Sequence, residues 1–265
     1  MSGMSPLLTI MTNAAIKAGK AIKRDFGEVE NLQVSKKGPS DYVTAADKKA
    51  EDVIFEELAK GRPGYGFLGE ERGFIEGSDK THRFIVDPID GTTNFIHAIP
   101  HFGISIALER EGRLVAGVVY NPISDEMFWA EVGKGAYRND YRLKVAGRKQ
   151  LSDCILATGI PWQGIPGHGQ FFKELHSFTQ KVAGIRRFGA ASLDLCWVAA
   201  GRFDGYWERN LKIWDLAAGV VILREAGGIA SEIDGGDFTQ TGNIIAGNQY
   251  VLAAMQKQLK VANSK

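Results

Sequence analysis

The 265-residue chain reads as an α+β first half with antiparallel strands that passes into an α/β second half. Three observations carry that prediction. Two stretches of helical spacing open the chain, and adjoining strand signals with tight turns follow. Beyond about Val145, short apolar runs alternate with helical stretches. The boundary divides the chain into 1–145 and 146–265. No long linker, repeat or low-complexity segment separates the halves, so they are expected to fuse into one compact unit.

Leu7, Met11, Ala14, Ala18, Ile22 and Phe26 recur at helical spacing and predict a helix over 7–26. A second is predicted over 45–60, with Thr44 as N-cap and Ala46, Ala50, Val53, Ile54 and Leu58 as its apolar face. Between them NLQVSKKGPSDYV reads as a polar loop broken at Gly38-Pro39, with Lys36 and Lys37 on a solvated face. FGISIALER, the dipeptide EG and RLVAGVVY form a hairpin signal; NP is the next turn and MFWAEV lies beyond it. In the second half CILATGI, FDGYWE and NIIAGN read as strands. FFKELHSFTQKV, ASLDLCWVAAG, DLAAGVVILREAGG and QYVLAAMQKQLK read as helices.

Composition excludes several classes. With 44% hydrophobic and 24% charged residues the chain has the proportions of a soluble globular protein. A net charge of +1 gives no global attraction to nucleic acid or an anionic membrane. The basic pairs Arg148-Lys149 and Arg186-Arg187 read as ordinary surface. Cys154 and Cys196 sit in apolar runs, as core thiols of a reducing compartment do. The N-terminus lacks a basic stretch ahead of its apolar residues, and no apolar run approaches a membrane span. A cytoplasmic location is expected. Nucleotide P-loop and H-E-x-x-H signatures are absent, and the five histidines are scattered.

The acids carry the chemistry. In FIVDPIDGTTNF, residues 84–95, D-P-x-D-G alone is turn chemistry. Asp87, however, precedes a proline and is held extended. Asp90 comes round within one turn, and Gly91 and Thr92 open a helix whose first N–H groups lack partners. Carboxylates so placed repel, and the nearby cations are only Lys80, Arg83 and Arg110. A divalent cation is the natural partner, and oxygen ligands favour magnesium, manganese or calcium over zinc. Glu70 and Glu71, after Gly69, read alone as a solvated cluster at a strand end. Asp215 reads alone as a helix N-cap, and Thr44-x-x-Asp47 as a capping box. Ala217-Ala218-Gly219 would let the helix that follows Asp215 pack closely on a neighbour, and Gly227-Gly228 would stop it.

G-E-E at 69–71, D-P-I-D-G-T-T-N-F at 87–95 and W-D-L-A-A-G…E-A-G-G at 214–228, in this order, resemble the inositol monophosphatase family. The resemblance runs from about Asp41 to Gly228. DGTTNF is closer to that family than to histidinol-phosphate phosphatases, and RRFGAASLDLCWVAAGRFDGYWE resembles its bacterial branch. The resemblance implies a layered α-β-α-β-α sandwich and a magnesium-dependent, lithium-sensitive hydrolase of myo-inositol 1-phosphate and related inositol or sugar monophosphates. Fructose 1,6-bisphosphate and histidinol phosphate are the alternative substrates. It places one magnesium on Glu70, Asp87 and the Ile89 carbonyl, a second on Asp87, Asp90 and Asp215, and a third, weaker, by Glu70; manganese can substitute. Gly91 and Thr92 would seat the phosphate. Glu70, or Thr92 oriented by Asp47, would activate the attacking water. Gly189, Ala190, Ala191, Glu208 and Asp215 would meet the alcohol. Two departures bear on ring selection: Ala190 stands where animal members carry threonine, and Arg209-Asn210 follow Glu208 where glycine is common. The family is usually dimeric, and some bacterial relatives are partners of the transcription machinery.

Overall fold

Ser5 caps the first helix by accepting a hydrogen bond from the Leu8 N–H at 3.2 Å, and Pro6 occupies its first turn, where no N–H is needed. This helix, α1 (Pro6–Phe26), lies beside α2 (Ala45–Gly61). The computed structural model describes residues 4–28, 34–38 and 41–263, with side chains for 4–28 and 45–263. The predicted roles of Thr44, Lys36 and Lys37 depend on side chains outside the described residues.

The stretch expected as a polar loop corrects the sequence reading. It contains β1 (Val34–Gly38) and β2 (Asp41–Thr44), paired antiparallel with Val34 opposite Thr44. Polar strands without alternation give no period-2 signal, and their pairing rests on backbone bonds.

α1 and α2 cover one face of an eight-stranded sheet. Its strands are β3 (Tyr65–Gly69), β4 (Gly73–Ile75), β5 (Asp79–Asp90), β6 (Gly103–Arg110), β7 (Arg113–Asn121), β8 (Glu126–Glu131), β9 (Gly135–Arg138) and β10 (Tyr141–Arg142). The order is β10-β9-β8-β7-β6-β5-β3-β4. The β6–β7–β8 meander matches the predicted hairpin and turn. The first half is not wholly antiparallel, however: β3 and β5 run parallel, with Gly69 opposite Val86. A short helix, α3 (Thr92–Ile96), follows β5.

The second half builds a five-stranded sheet from β11 (Ile155–Thr158), β12 (Gly184–Arg186), β13 (Gly205–Glu208), β14 (Ile229–Glu232) and β15 (Ile244–Gly247), ordered β12-β11-β13-β15-β14. Its β12-β11-β13 part is parallel and β15 and β14 pair antiparallel. Between the sheets lie α5 (Ala191–Ala199) and α6 (Ile213–Glu225); on the outer face lie α4 (His168–Thr179) and α8 (Gln249–Asn263), and α7 (Phe238–Thr241) packs at the end of α6. The fold is a layered α-β-α-β-α sandwich.

The middle layer explains its own sequence. A helix apolar all round must be buried on all sides, and α6 buries Leu216 to Leu223 without a break. A Cβ on Gly219 would come within 2.7 Å of Leu195 on α5, and one on Gly117 within 2.5 Å of the Ala218 carbonyl. The small residues therefore let α6 touch both the helix beside it and the sheet beneath it. Cys154 and Cys196 are buried free thiols. No helix among the described residues is long and apolar enough to cross a membrane.

Candidate active site

The parallel β3–β5 pair sets the first two carboxylates side by side. Gly69 is opposite Val86, so Glu70 and Asp87 are the next residues at the ends of adjacent strands, and the Glu70 N–H donates to the Val86 carbonyl at 3.2 Å. The β5–β6 register then slips between Asp87, opposite Ser105, and Asp90, opposite Gly103. A regular strand would point residues three apart to opposite faces. The bulge turns both aspartates into one pocket. Asp215 arrives from the start of α6, which Ser105 Oγ pins to β6 by donating to the Trp214 carbonyl at 3.0 Å.

Each aspartate has one oxygen held by backbone. Asp87 Oδ1 accepts the Ile89 N–H at 2.9 Å, Asp90 Oδ2 the Ser192 N–H at 2.7 Å, and Asp215 Oδ2 the Lys212 N–H at 2.7 Å. Asp215 is thus the third residue of α6, bonding back to the cap position, and not the cap expected from sequence. Burial first, then Glu70, Asp90 and Asp215, push the Asp87 carboxyl well above its ordinary range. Burial pushes Asp90 up to about 6 against its Ser192 hydrogen bonds, and burial and Asp90 push Asp215 up. No Lys or Arg side chain bonds to any of the three among the described residues.

This donor set fits a hard divalent cation: several carboxylates, all oxygen, with Asp87, Asp90 and Asp215 crowded together and no cationic side chain bonded to those three among the described residues. Among the described residues, no three or more His, Cys, Asp or Glu side chains stand close enough together to hold a metal ion as they are placed. Uncompensated carboxylates repel, and each is oriented by its own backbone donor.

The pocket, of about 320 Å³, receives most of the predicted site residues: Glu70, Asp87, Ile89, Asp90, Gly91, Thr92, Gly189, Ala191, Glu208 and Asp215. Two are displaced. Ala190 is 1% exposed and packs behind the wall toward Gly91, because the chain is extended there before α5 begins. Asp47 is buried and meets the site through Thr92, whose Oγ1 lies 3.0 Å from the Ile89 carbonyl and 3.3 Å from Asp47 Oδ1. Gly91, at φ +96°, lets β5 turn into α3; a Cβ there would lie 3.1 Å from the Gly189 carbonyl. The two loops are further tied by Asn94 Nδ2, which donates to the carbonyls of His101 and Phe188, both at 2.7 Å. Glu208 accepts from Tyr206 Oη at 2.6 Å, and burial pushes its carboxyl up to about 7.

Sequence reading missed several contributors. Ser192 and Asn94 bridge segments about a hundred residues apart, and no local pattern marks that. Buried Glu51 accepts the Glu71 and Arg72 N–H groups at 2.9 and 2.7 Å and so fixes the turn after Glu70; it lies on the buried face of α2 beside Ala50 and Ile54, where its charge hid it from a reading of apolar periodicity. Arg187, read as ordinary surface, lines the pocket with Trp162 and Lys212.

A five-layer sandwich with this acidic pocket between its sheets defines a class, and comparison with known proteins agrees. Residues 3–262 match the model of the inositol monophosphatase family. An inositol-1-monophosphatase of Caulobacter vibrioides is 60% identical over 95% of this chain and 100% of its own. The crystal structure of the extragenic suppressor protein suhB from Bartonella henselae superposes with a TM-score of 0.94 at 56% identity, covering 97% of this chain and 99% of that one. The Nus factor SuhB of Escherichia coli is 42% identical over 97% of each chain. The chain belongs to the inositol monophosphatase family. It is an inositol-phosphate phosphatase, a phosphoric monoester hydrolase.

Proposed function

We propose that the enzyme hydrolyses myo-inositol 1-phosphate, and related inositol or sugar monophosphates, with magnesium held by Glu70, Asp87, the Ile89 carbonyl, Asp90 and Asp215. The observation that carries this reading is the crowding of Asp87, Asp90 and Asp215 with Glu70 in one pocket beside Gly91 and Thr92. Bound magnesium would neutralise these carboxylates, lower the pKa of the attacking water and stabilise the leaving oxygen; manganese would serve similarly.

The chain's own residues do the rest. Gly91 and Thr92 turn backbone N–H groups toward the phosphate. Glu70 accepts the proton of the attacking water, or Thr92 relays it, its hydroxyl taking the water's proton as it passes its own to Asp47. Gly189 and Ala191 leave room for the alcohol, and Glu208 accepts hydrogen bonds from its hydroxyls. The test is phosphate release across inositol and sugar monophosphates, including histidinol phosphate and fructose 1,6-bisphosphate. Release from myo-inositol 1-phosphate should require magnesium and stop with a chelator. Activity surviving exhaustive chelation would sink the metal assignment.

The Nus factor relative favours a second role, as a partner of the transcription machinery independent of hydrolysis. Binding to that machinery that survives Asp87→Asn would support it. The reading places the enzyme in the cytoplasm as a homodimer, and light scattering tests the dimer.

A further inference from the structure

One cation in the pocket has no role in the reaction so far described. Arg187 lines the cavity beside Gly189 and Glu208 and carries no hydrogen bond or ion pair among the described residues. Its place is built rather than incidental. Gly189 sits at φ +80°, and a Cβ on it would come within 2.3 Å of Arg187 Nη1, so the absent side chain is the seat of the guanidinium. The Arg187 charge reaches two carboxyls, pulling down both Glu208 and the buried Asp194 of α5 against the burial that raises them. Neither oxygen of Asp194 has a hydrogen-bond partner among the described residues, and burial, then Glu208 and Asp90, hold its carboxyl well above the ordinary range. Glu208 in turn is lodged against Gly159, where a Cβ would collide with its carboxylate, and is held by Tyr206 Oη at 2.6 Å. The pocket therefore presents both an acceptor with a fixed position and a donor fork.

We propose that Arg187 is a specificity-determining residue that, together with Glu208, reads a pair of adjacent hydroxyls on the alcohol half of the substrate. This deepens the functional reading above and rests on it. A hydroxyl both donates and accepts, so a vicinal diol can satisfy a carboxylate and a planar guanidinium at once. A second anionic group fits less well, because it would crowd the Glu208 carboxyl that lines the same pocket. The favoured substrates are cyclic polyol monophosphates, not simple alkyl or aryl phosphates.

The experiment measures kcat and KM of the magnesium-loaded protein and its Arg187→Lys and Arg187→Gln variants on three esters. These are myo-inositol 1-phosphate, 4-nitrophenyl phosphate and fructose 1,6-bisphosphate. Arg187 is exposed, and melting curves with light scattering check that the variants keep fold and assembly. The kcat/KM ratio of the inositol ester over the aryl ester should fall about tenfold in both variants, chiefly through KM, because lysine keeps the charge but loses the fork. An unchanged ratio, or an equal loss on every ester, overturns the assignment. A larger loss on the bisphosphate than on the inositol ester also overturns it, because Arg187 would then read a second anion. Wild-type protein inactive on myo-inositol 1-phosphate would overturn the underlying functional reading first, and this inference with it.

Discussion

Asp87 and Glu208 are both carboxyls facing one pocket, yet they are held by different means. Asp87 belongs to a wall made by the eight-stranded sheet, where a backbone N–H two residues away fixes one oxygen and other acids crowd the rest. Glu208 belongs to a wall made by the five-stranded sheet, where a tyrosine hydroxyl fixes it and Arg187 offsets its charge. The first wall is an electrostatic problem that a cation solves. The second holds a carboxyl that burial raises and that Tyr206 and Arg187 partly ease, and it presents hydrogen-bonding groups. The contrast suggests that the first wall supplies the hydrolytic chemistry and the second chooses the alcohol.

Substitution at the two walls should separate these roles. Asp87→Asn should lower phosphate release by about 10³-fold or more, roughly 4 kcal/mol of barrier. Glu208→Gln should cost about tenfold on myo-inositol 1-phosphate and less on an aryl phosphate. Equal losses in kinetic assays of both variants would break the comparison. Lithium offers a milder probe of the acidic wall. At saturating magnesium, millimolar lithium chloride should inhibit several-fold while sodium chloride does not; identical effects of the two salts would mean that the Asp215 end does not accept lithium.

Melting curves sharpen the same contrast. In chelator, Asp90→Asn should melt at or above wild type, because it removes one of the repelling charges and keeps an oxygen for Ser192. Magnesium at a hundred times its dissociation constant should stabilise wild type by about 2.7 kcal/mol, and the variant less. A variant melting well below wild type in chelator would make Asp90 a structural turn residue. The smallest effect belongs to Glu208. Its folded carboxyl is raised to about 7 from an ordinary 4.5, so the folded state holds the proton more tightly. Stability from this group is full below about pH 4.5 and is lost as pH rises through 7. Between pH 5 and 8 in chelator, wild type should lose about 2.5 kcal/mol that Glu208→Gln retains.

Much of this was legible from residue order. The periodicity of α1 and α2, the β6–β7 hairpin and the Ala-Ala-Gly contact face of α6 are local patterns, and short-range backbone preference and burial suffice to produce them. Asp87 and Asp90 could be recognised as a cation problem because proximity in sequence forces proximity in space. What could not be read depends on segments far apart in the chain. The polar strands β1 and β2 lack alternation, and the parallel pairing of β3 with β5, which sets Glu70 beside Asp87, leaves no mark in either strand. Nor does sequence show that Ser192 would hold Asp90, that Asn94 would tie two loops, or that the exposed Arg187 would also rest over Gly189 and line the pocket. Periodicity reports which face of an element is buried; it carries no information about which distant element covers that face, and the site lies where those distant elements meet.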